Sequence, residues 1–241
     1  MSVLLIPLSF LVWGFPLFDI FAFRPAPFRK SPRVTLILFG FFGICWAVAA
    51  ASLISDFHGT TLDQASAGLL LADWIGAALP LSAILGISLR DDVLERNNRA
   101  ALWPILGAMI ALAASFAGAQ VGTAHGPATL IAAAFTMLAL ANLWILADRV
   151  GDHWLDAITI DRDQGASLRF AGLMAASGLS IGSTAQSGSL FSAWTLLPVY
   201  LLAIVIERSL RKTRESARST LFATMYLLIT IAAIALERYI R

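Results

Sequence analysis

Long apolar runs, separated by short polar connections, dominate this chain of 241 residues. A helix that crosses a membrane needs about 20 consecutive apolar residues. Water cannot satisfy backbone N–H and C=O groups inside hydrocarbon, so runs of this length are expected to be helices. The alternating segments of about ten residues that a transmembrane barrel needs are absent. The predicted spans are Val3–Ala22, Val34–Ile54, Ala67–Leu89, Ala100–Val121, Pro127–Ala147, Leu168–Ala185, Leu190–Ile206 and Thr220–Leu236.

The positions of the basic residues predict the orientation of these spans. Every Lys and Arg that lies between two spans falls in or beside alternate connections, namely the first, third, fifth and seventh. The other connections, SDFHGTTLDQAS, GTAHG and QSGS, contain none. Under the positive-inside rule the basic connections are cytoplasmic. The pattern predicts an all-α bundle of eight transmembrane helices in four hairpins, with both termini outside the cytoplasm.

Composition narrows the classes of protein further. The chain is 59% hydrophobic and only 13% charged, whereas soluble domains are about 25% charged. The net charge of +2 is too small and too dispersed for a nucleic-acid partner. The single cysteine, Cys45, excludes an intramolecular disulfide. The first run lacks a basic leading region, so we interpret it as a retained span rather than a signal peptide. Residues 1–241 are thus predicted to form a single integral membrane domain in contact with lipid.

An internal repeat is suggested by the fourth and sixth spans. Four residues of the fourth span recur 65 positions later: Gly107, Met109, Ala111 and Ser115 match Gly172, Met174, Ala176 and Ser180. This spacing predicts repeat units at 67–121 and 127–189, flanked by hairpins 1–56 and 190–241. The alternative is that two helices rich in small residues resemble each other by composition alone.

The small residues of these two spans have two interpretations. The sixth span contains Gly178-x-x-x-Gly182, and Gly107 and Gly172 lie at matching positions of the two spans. Small residues let helix backbones approach closely, which predicts that these spans pack together at the centre of the bundle. The functional alternative is that their hydroxyl groups, including those of Ser115 and Ser180, line a polar path.

A single acidic residue lies well inside a predicted span. Asp73 occurs in LLLADWIGAALP, and Pro80 of the same run frees a backbone carbonyl and favours a kink. A carboxyl group within a membrane is costly, so such residues tend to face a polar interior. The combination resembles the ion or proton site of a transporter. The alternative is an interfacial Asp73 that is hydrated from outside, with Trp74 as an aromatic anchor.

Other chemistry finds little support in the sequence. No metal site or cofactor is predicted: His58 and His125 fall in predicted outer loops without the close spacing that ligands need. Motifs for nucleophilic, phosphate-binding or zinc-dependent catalysis are absent, so the chain is not predicted to be an enzyme. The predicted cytoplasmic loops offer a second possibility, a docking surface for a soluble protein built from Arg96, Asn98, Arg99 and Asp163.

A resemblance to a known family rests on the two loop-and-helix sequences. Asn97-Asn98-Arg99-Ala100-Ala101 precedes Gly107, and Asp163-Gln164-Gly165-Ala166 precedes Gly172. This arrangement resembles the repeat of bacterial inner-membrane proteins catalogued as domain of unknown function 350, over about half the chain. The family implies no catalytic residues. Its similarity to proteins found beside membrane-stress factors implies a role in envelope maintenance with a soluble partner. Asp163 departs from the Asn that the family usually has.

Two functions of different classes follow from these features. The leading hypothesis is a small ion or solute channel, or a transporter-like protein, with Asp73, Ser115 and Ser180 at the path. The alternative is a membrane scaffold that transports nothing and recruits a cytoplasmic partner. The sequence indicates neither the substrate nor the oligomeric state.

Overall fold

Helices form every regular element that the structure describes. The computed structural model describes residues 32–56, 61–122, 127–150, 153–187, 200–203, 205 and 216–240, and this part of the chain confirms the all-α prediction. The elements are α1 (Pro32–Asp56), α2 (Thr61–Gly76), α3 (Ala78–Ile84), a π-helical turn (Leu89–Glu95), α4 (Leu102–Gly122), α5 (Pro127–Val150), α6 (Trp154–Thr159), α7 (Gln164–Ser187) and α8 (Ser216–Ile240).

Several predicted spans correspond to these helices. Those that began at Val34, Ala100 and Pro127 are α1, α4 and α5, while α7 and α8 extend beyond the predicted limits of the sixth and eighth spans. The first predicted span lies outside the described residues, and only 200–203 and 205 of the seventh are described.

The third predicted span contains α2 and α3, and its helical hydrogen bonding is interrupted between them. Pro80 has no N–H to donate to the carbonyl of Gly76, four residues earlier, and α2 ends at that glycine. The chain stays close to a helical course across the break, because Ala77 N donates to Asp73 O at 2.9 Å and Leu81 N donates to Ala77 O at 3.0 Å. The result is an interrupted helix whose two parts share one direction.

Gly86 ends α3 and turns the chain toward the next element. Its φ of +99° lies in the left-handed region, which glycine adopts without a steric cost. The N–H groups of Gly86 and Ile87 donate to the carbonyls of Ala83 and Ser82, at 3.3 and 2.8 Å. These two bonds form a Schellman motif, which satisfies carbonyls that the helix end would otherwise leave exposed.

α7 is the central helix of the described bundle. It makes the most extensive contacts with α4 on one side and α8 on another, and α5 and α6 also pack against it. α1, α2 and α3 pack on α4 instead. Since α4 lies between these two groups, the bundle is organised around the α4–α7 pair.

The described helices present large apolar side chains on their outer faces. Ile44 and Val48 of α1, Phe135 of α5 and Leu228 of α8 are all exposed. Several serines and threonines, by contrast, are buried between helices. A water-soluble protein rarely exposes extensive apolar surface.

Two stretches of the described residues meet the length and composition of a membrane-crossing helix, Ala67–Ile84 and Ser219–Leu236. The apolar stretches Ile37–Ala50 and Leu102–Gly118 are shorter. Length and composition alone make these two helices weak support for membrane insertion, and the predicted number of eight spans stays a prediction.

Candidate functional site

Asp73 lies in the buried face of α2. Its exposed fraction is 2%, and it is six residues from the start of the Ala67–Ile84 stretch, or about 9 Å along the helix axis. Gly76 and Ala77 follow on the same side of the helix, where α2 gives way to α3. The structure therefore places a buried carboxyl group within one helical turn of the interruption between α2 and α3.

The apolar residues that flank Asp73 in the sequence of α2 pack in the interior of the described bundle. The ring of Trp74 lies 6.3 Å from that of Phe116 on α4, and Ile75 and Leu71 of α2 are fully buried. The indole N–H of Trp74 is also buried and has no hydrogen-bond partner among the described residues. Trp74 is thus half-buried, with its ring close to that of Phe116 on α4.

Ser115 lies at about the depth of Asp73, because it precedes Phe116 in α4. Its hydroxyl group is fully buried and donates to the carbonyl of Leu112 at 3.0 Å. Ser180 is equally buried on α7. The helices that carry Asp73 and Ser180, α2 and α7, both pack against α4.

The α4–α7 interface is closed by contact between backbones. A Cβ atom added at Gly178 would lie 2.1 Å from Ala111 Cα, and one added at Gly118 would lie 2.0 Å from Gly182 O. A Cβ at Gly107 would lie 2.7 Å from Ala171 Cα. No room is left between these two helices for a solute path at these positions, so their small residues serve close packing.

Gly172 extends the same kind of contact to α8. A Cβ at Gly172 would lie 2.7 Å from Ala223 Cα. At the start of α7 a Cβ at Gly165 would lie 2.7 Å from Ser219 Oγ, and Arg169 Nη1 donates to that hydroxyl at 2.7 Å. Glycines therefore bring three helices, α4, α7 and α8, into one close-packed row.

Two short segments connect the helices, one between α3 and α4 and the other between α5 and α7. We call residues 88–98 the first cap and residues 153–163 the second cap. Each contains a helical turn followed by a residue in the left-handed region, Asn97 with φ 52° and Arg162 with φ 56°. The two caps are 65 residues apart, the same offset that relates α4 to α7 in sequence.

Asn98 joins the two caps. Its Nδ2 donates to the carbonyl of Ile158 in the second cap at 2.8 Å, and its Oδ1 accepts from Ala100 N at 3.1 Å. The side chain is 1% exposed. Asn98 is therefore not part of the exposed surface predicted for docking, because its amide is used within the chain. Ser167 donates to the carbonyl of Ala100 and strengthens the same junction.

The other predicted docking residues differ in exposure. Arg96 and Arg99 are exposed, and Arg96 Nη1 lies 3.2 Å from the buried Asp92 Oδ1. Asp163 is half-buried and caps α7, since its Oδ1 accepts from Gly165 N at 2.7 Å. Of the four residues predicted to form the docking surface, only the two arginines have exposed side chains.

The second cap also contains a feature that the sequence did not reveal. Trp154 and Trp144 lie edge-on to Phe170, with ring centroids 5.5 and 4.7 Å away. Burial of Trp154 and Ile158 fixes α6 against α7, while Ile160, two residues beyond Ile158, is 72% exposed.

Candidate metal ligands gain no support from the structure. His58 and His125 lie outside the described residues. Within the described ranges, no group of three or more His, Cys, Asp or Glu side chains is arranged to hold a metal ion.

The chain was compared with family models, with curated proteins and with solved structures, and none of the three comparisons finds a match.

Proposed function

We propose that this chain is a multi-pass protein of a bacterial inner membrane that moves an ion or a small solute. The apolar outer faces of α1, α5 and α8 support the membrane setting, since lipid tails solvate such surfaces and water does not. The basic residues of alternate connections support an orientation with both termini in the periplasm. Together with the apolar runs, they support eight spans.

Cysteine labelling tests this topology. In a Cys45→Ser background, a cysteine at Arg96 is expected to react only with reagent on the cytoplasmic side. A cysteine at Ala124, in the connection GTAHG, is expected to react only from the periplasmic side. Labelling of both positions from the same side would contradict the proposed arrangement of hairpins.

The burial of Asp73 carries the transport proposal. The Asp73 carboxyl group is 2% exposed, and an ionisable group within a membrane-spanning helix is a candidate for a functional site. The residue lies within one turn of the Gly76 carbonyl, which Pro80 leaves without its usual helical donor. Transporters commonly form ion sites from interrupted helices with polar groups at the break. We place the site on the α2 side of α4, because the α4–α7 interface is closed.

Flux across proteoliposomes tests the proposal directly. The purified protein is expected to release a trapped ion or solute faster than empty liposomes, and Asp73→Asn is expected to abolish the difference. The matched control is Asp156→Asn, which removes an exposed carboxylate of α6 and leaves α2 intact. Flux that persists in Asp73→Asn would place the path elsewhere.

The exposure of Ile160 favours a second candidate, a scaffold that binds a cytoplasmic protein. This large apolar side chain is 72% exposed in a cap that joins the first cap, which carries the exposed Arg96 and Arg99. An apolar residue beside cationic groups suits an acidic partner with an apolar anchor.

The two candidates predict opposite responses to the same variants. A scaffold is expected to lose its partner in crosslinked membranes when Ile160 is replaced by Glu, and to keep it in Asp73→Asn. A transporter is expected to lose flux in Asp73→Asn and to keep it in Ile160→Glu. If the same amount of crosslinked partner is recovered with every variant, the scaffold proposal is wrong.

A further inference from the structure

We infer that α8 is a third copy of the helix that α4 and α7 repeat, and that its outer face ends the row α4–α7–α8 by contacting lipid tails. The inference does not depend on transport, but it rests on the membrane setting proposed above. It extends the repeat into the predicted hairpin 190–241 and names what covers the outer surface of that hairpin.

The first argument is a second repeat in the sequence. Three residues near the start of α7 recur 52 positions later in α8: Ser167, Phe170 and Ala171 correspond to Ser219, Phe222 and Ala223. The two helices also begin 52 residues apart, at Gln164 and at Ser216. A sequence that recurs at the same place in two helices is what a duplicated unit retains.

The second argument is that equivalent residues meet at the two interfaces. Ser167 of α7 donates to Ala100 O at the start of α4. Its equivalent in α8, Ser219, lies against Gly165, which corresponds to Ala100 at the offset of 65. A Cβ atom at Gly165 would lie 2.7 Å from Ser219 Oγ, and both serines are fully buried. Each later helix thus places a serine at the same point of the helix before it.

The same correspondence holds further along the helices. A Cβ atom at Gly107 of α4 would lie 2.7 Å from Ala171 Cα, and one at Gly172 of α7 would lie 2.7 Å from Ala223 Cα. The two glycines are equivalent at the offset of 65, and the two alanines at the offset of 52. The step that packs α7 on α4 is therefore repeated when α8 packs on α7.

The third argument concerns the face on which each helix receives the next one. Gly107 and Ala111 of α4 correspond to Gly172 and Ala176 of α7, and both pairs are small residues. At the equivalent positions α8 has Thr224 and Leu228, and both are exposed. Backbones approach closely only where the side chains between them are small. These two larger side chains therefore prevent a fourth helix from packing on α8 by the same step.

Lipid tails are the partner that suits this outer face of α8. Leu221 and Ile231 lie on the same side of the helix as Leu228, and all three are more than half exposed. Large apolar side chains are solvated better by hydrocarbon than by water. The Thr224 hydroxyl donates to Thr220 O at 2.8 Å, so its own helix satisfies it, as hydrocarbon requires of a polar group.

Spin labels on the full chain test what covers this face. In a Cys45→Ser background, a nitroxide attached to Leu228→Cys in proteoliposomes is expected to collide often with oxygen, which dissolves in hydrocarbon. It is expected to collide rarely with a water-soluble nickel chelate. Leu138→Cys on α5 is the matched control, because Leu138 and Leu228 are both 60% exposed.

The results separate this inference from the membrane setting on which it rests. Suppose that the label at Leu138 is accessible to oxygen, while the label at Leu228 is protected from both reagents or is reached by nickel. Lipid then does not cover α8, and the inference is overturned although the membrane setting stands. Access of nickel in preference to oxygen at both positions would overturn the membrane setting and the inference together.

Distances between spin labels test the third copy itself. Trp103 of α4, Leu168 of α7 and Thr220 of α8 are equivalent positions near the helix starts, and none is fully buried. A repeated step predicts that dipolar EPR gives the same mean separation for Trp103→Cys with Leu168→Cys as for Leu168→Cys with Thr220→Cys. A difference of more than one helical turn, about 5 Å, would show that α8 does not repeat the step.

Discussion

The first and second caps begin differently and end in the same way. The first is a π-helical turn that follows an extended Ser88, whereas the second is an α-helical turn that follows a left-handed His153. At the end of the first, Asn98 N donates to Asp92 O at 2.9 Å, and at the end of the second, Asp163 N donates to Ala157 O at the same distance. The side chains of Asn98 and Asp163 then accept a hydrogen bond from the N–H two positions later, that of Ala100 or Gly165. The chain thus builds the same cap ending twice, 65 residues apart.

The difference between the caps lies in what each capping side chain can donate. An amide both accepts and donates, whereas a carboxylate only accepts. Asn98 uses its extra N–H to reach Ile158 O across the junction, and it is buried. Asp163 is half-buried and accepts from Gly165 and Ala166 within its own helix end. One cap therefore joins the two halves, and the other only starts a helix.

The largest expected effect comes from separating the two repeated helices. Gly178→Ala would place a Cβ atom 2.1 Å from Ala111 Cα, where only backbone can move away. We expect a loss of about 3 kcal/mol in the free energy of unfolding, measured by denaturant titration in detergent micelles.

Gly43→Ala is the matched control, because nothing lies within 4 Å of a Cβ atom at that position of α1. It is expected to be neutral or slightly stabilising, since alanine favours helix more than glycine does. Equal destabilisation by both substitutions would contradict the close contact of α4 with α7.

The second largest loss of stability is expected from a substitution that removes the hydrogen bond between the two caps. Asn98→Asp keeps the acceptor for Ala100 N but replaces the donor to Ile158 O with a charged oxygen. We expect a loss of about 2 kcal/mol, because a buried carbonyl loses its partner and an ionised group is buried. Thermal unfolding in detergent would measure it, and an unchanged Tm would show that the junction contributes nothing to stability.

The reciprocal change sharpens the comparison. Asp163→Asn keeps an oxygen that can cap Gly165 N and Ala166 N, and it lies at a half-buried site. We expect a loss below about 1 kcal/mol, since Asn and Asp are similar as N-caps. Asp163→Ala, which removes the acceptor, is expected to cost about 1 kcal/mol. If Asp163→Asn proved as damaging as Asn98→Asp, the two caps would be equivalent after all.

The smallest effect on stability is expected at Ile160, an exposed position at which the two caps carry different kinds of side chain. Ile160 occupies the place that Glu95 has in the first cap, and both are exposed. Ile160→Glu is expected to change the free energy of unfolding by no more than about 0.5 kcal/mol. Ile158→Glu, at a fully buried neighbour, is the contrasting variant and is expected to prevent stable folding.

Much of the helical layout could be predicted from hydrophobic runs, because a long apolar segment has few other ways to satisfy its backbone. The offset of 65 residues also indicated the repeat, and the matching left-handed residues Asn97 and Arg162 now extend that match beyond sequence identity. The break at Ala77 was missed, since Pro80 predicts a kink but not where the helix ends.

The site was harder to predict, because pairwise geometry decides it. A single acid in an apolar run drew attention to Asp73, yet its relation to α4 needed the Trp74–Phe116 contact. Asn98 looked like a loop residue, and its burial depends on a carbonyl 60 residues away in sequence. The glycines of α4 and α7 are compatible both with a polar path for a solute and with close packing of the two helices. Only the distances between the helices distinguish these two interpretations.

Contact between bare backbones also determines which parts of the molecule can move. A joint made by long side chains can rotate and repack, but α4 and α7 meet where no side chain intervenes, as at Gly178 and Gly118. We expect these two helices to move together as one rigid unit during any conformational change. Under the transport function proposed above, access to Asp73 would alternate through displacement of α2 and α3 along the side of α4. Spin labels on α2 and α7 would then change their separation during turnover, whereas labels on α4 and α7 would not.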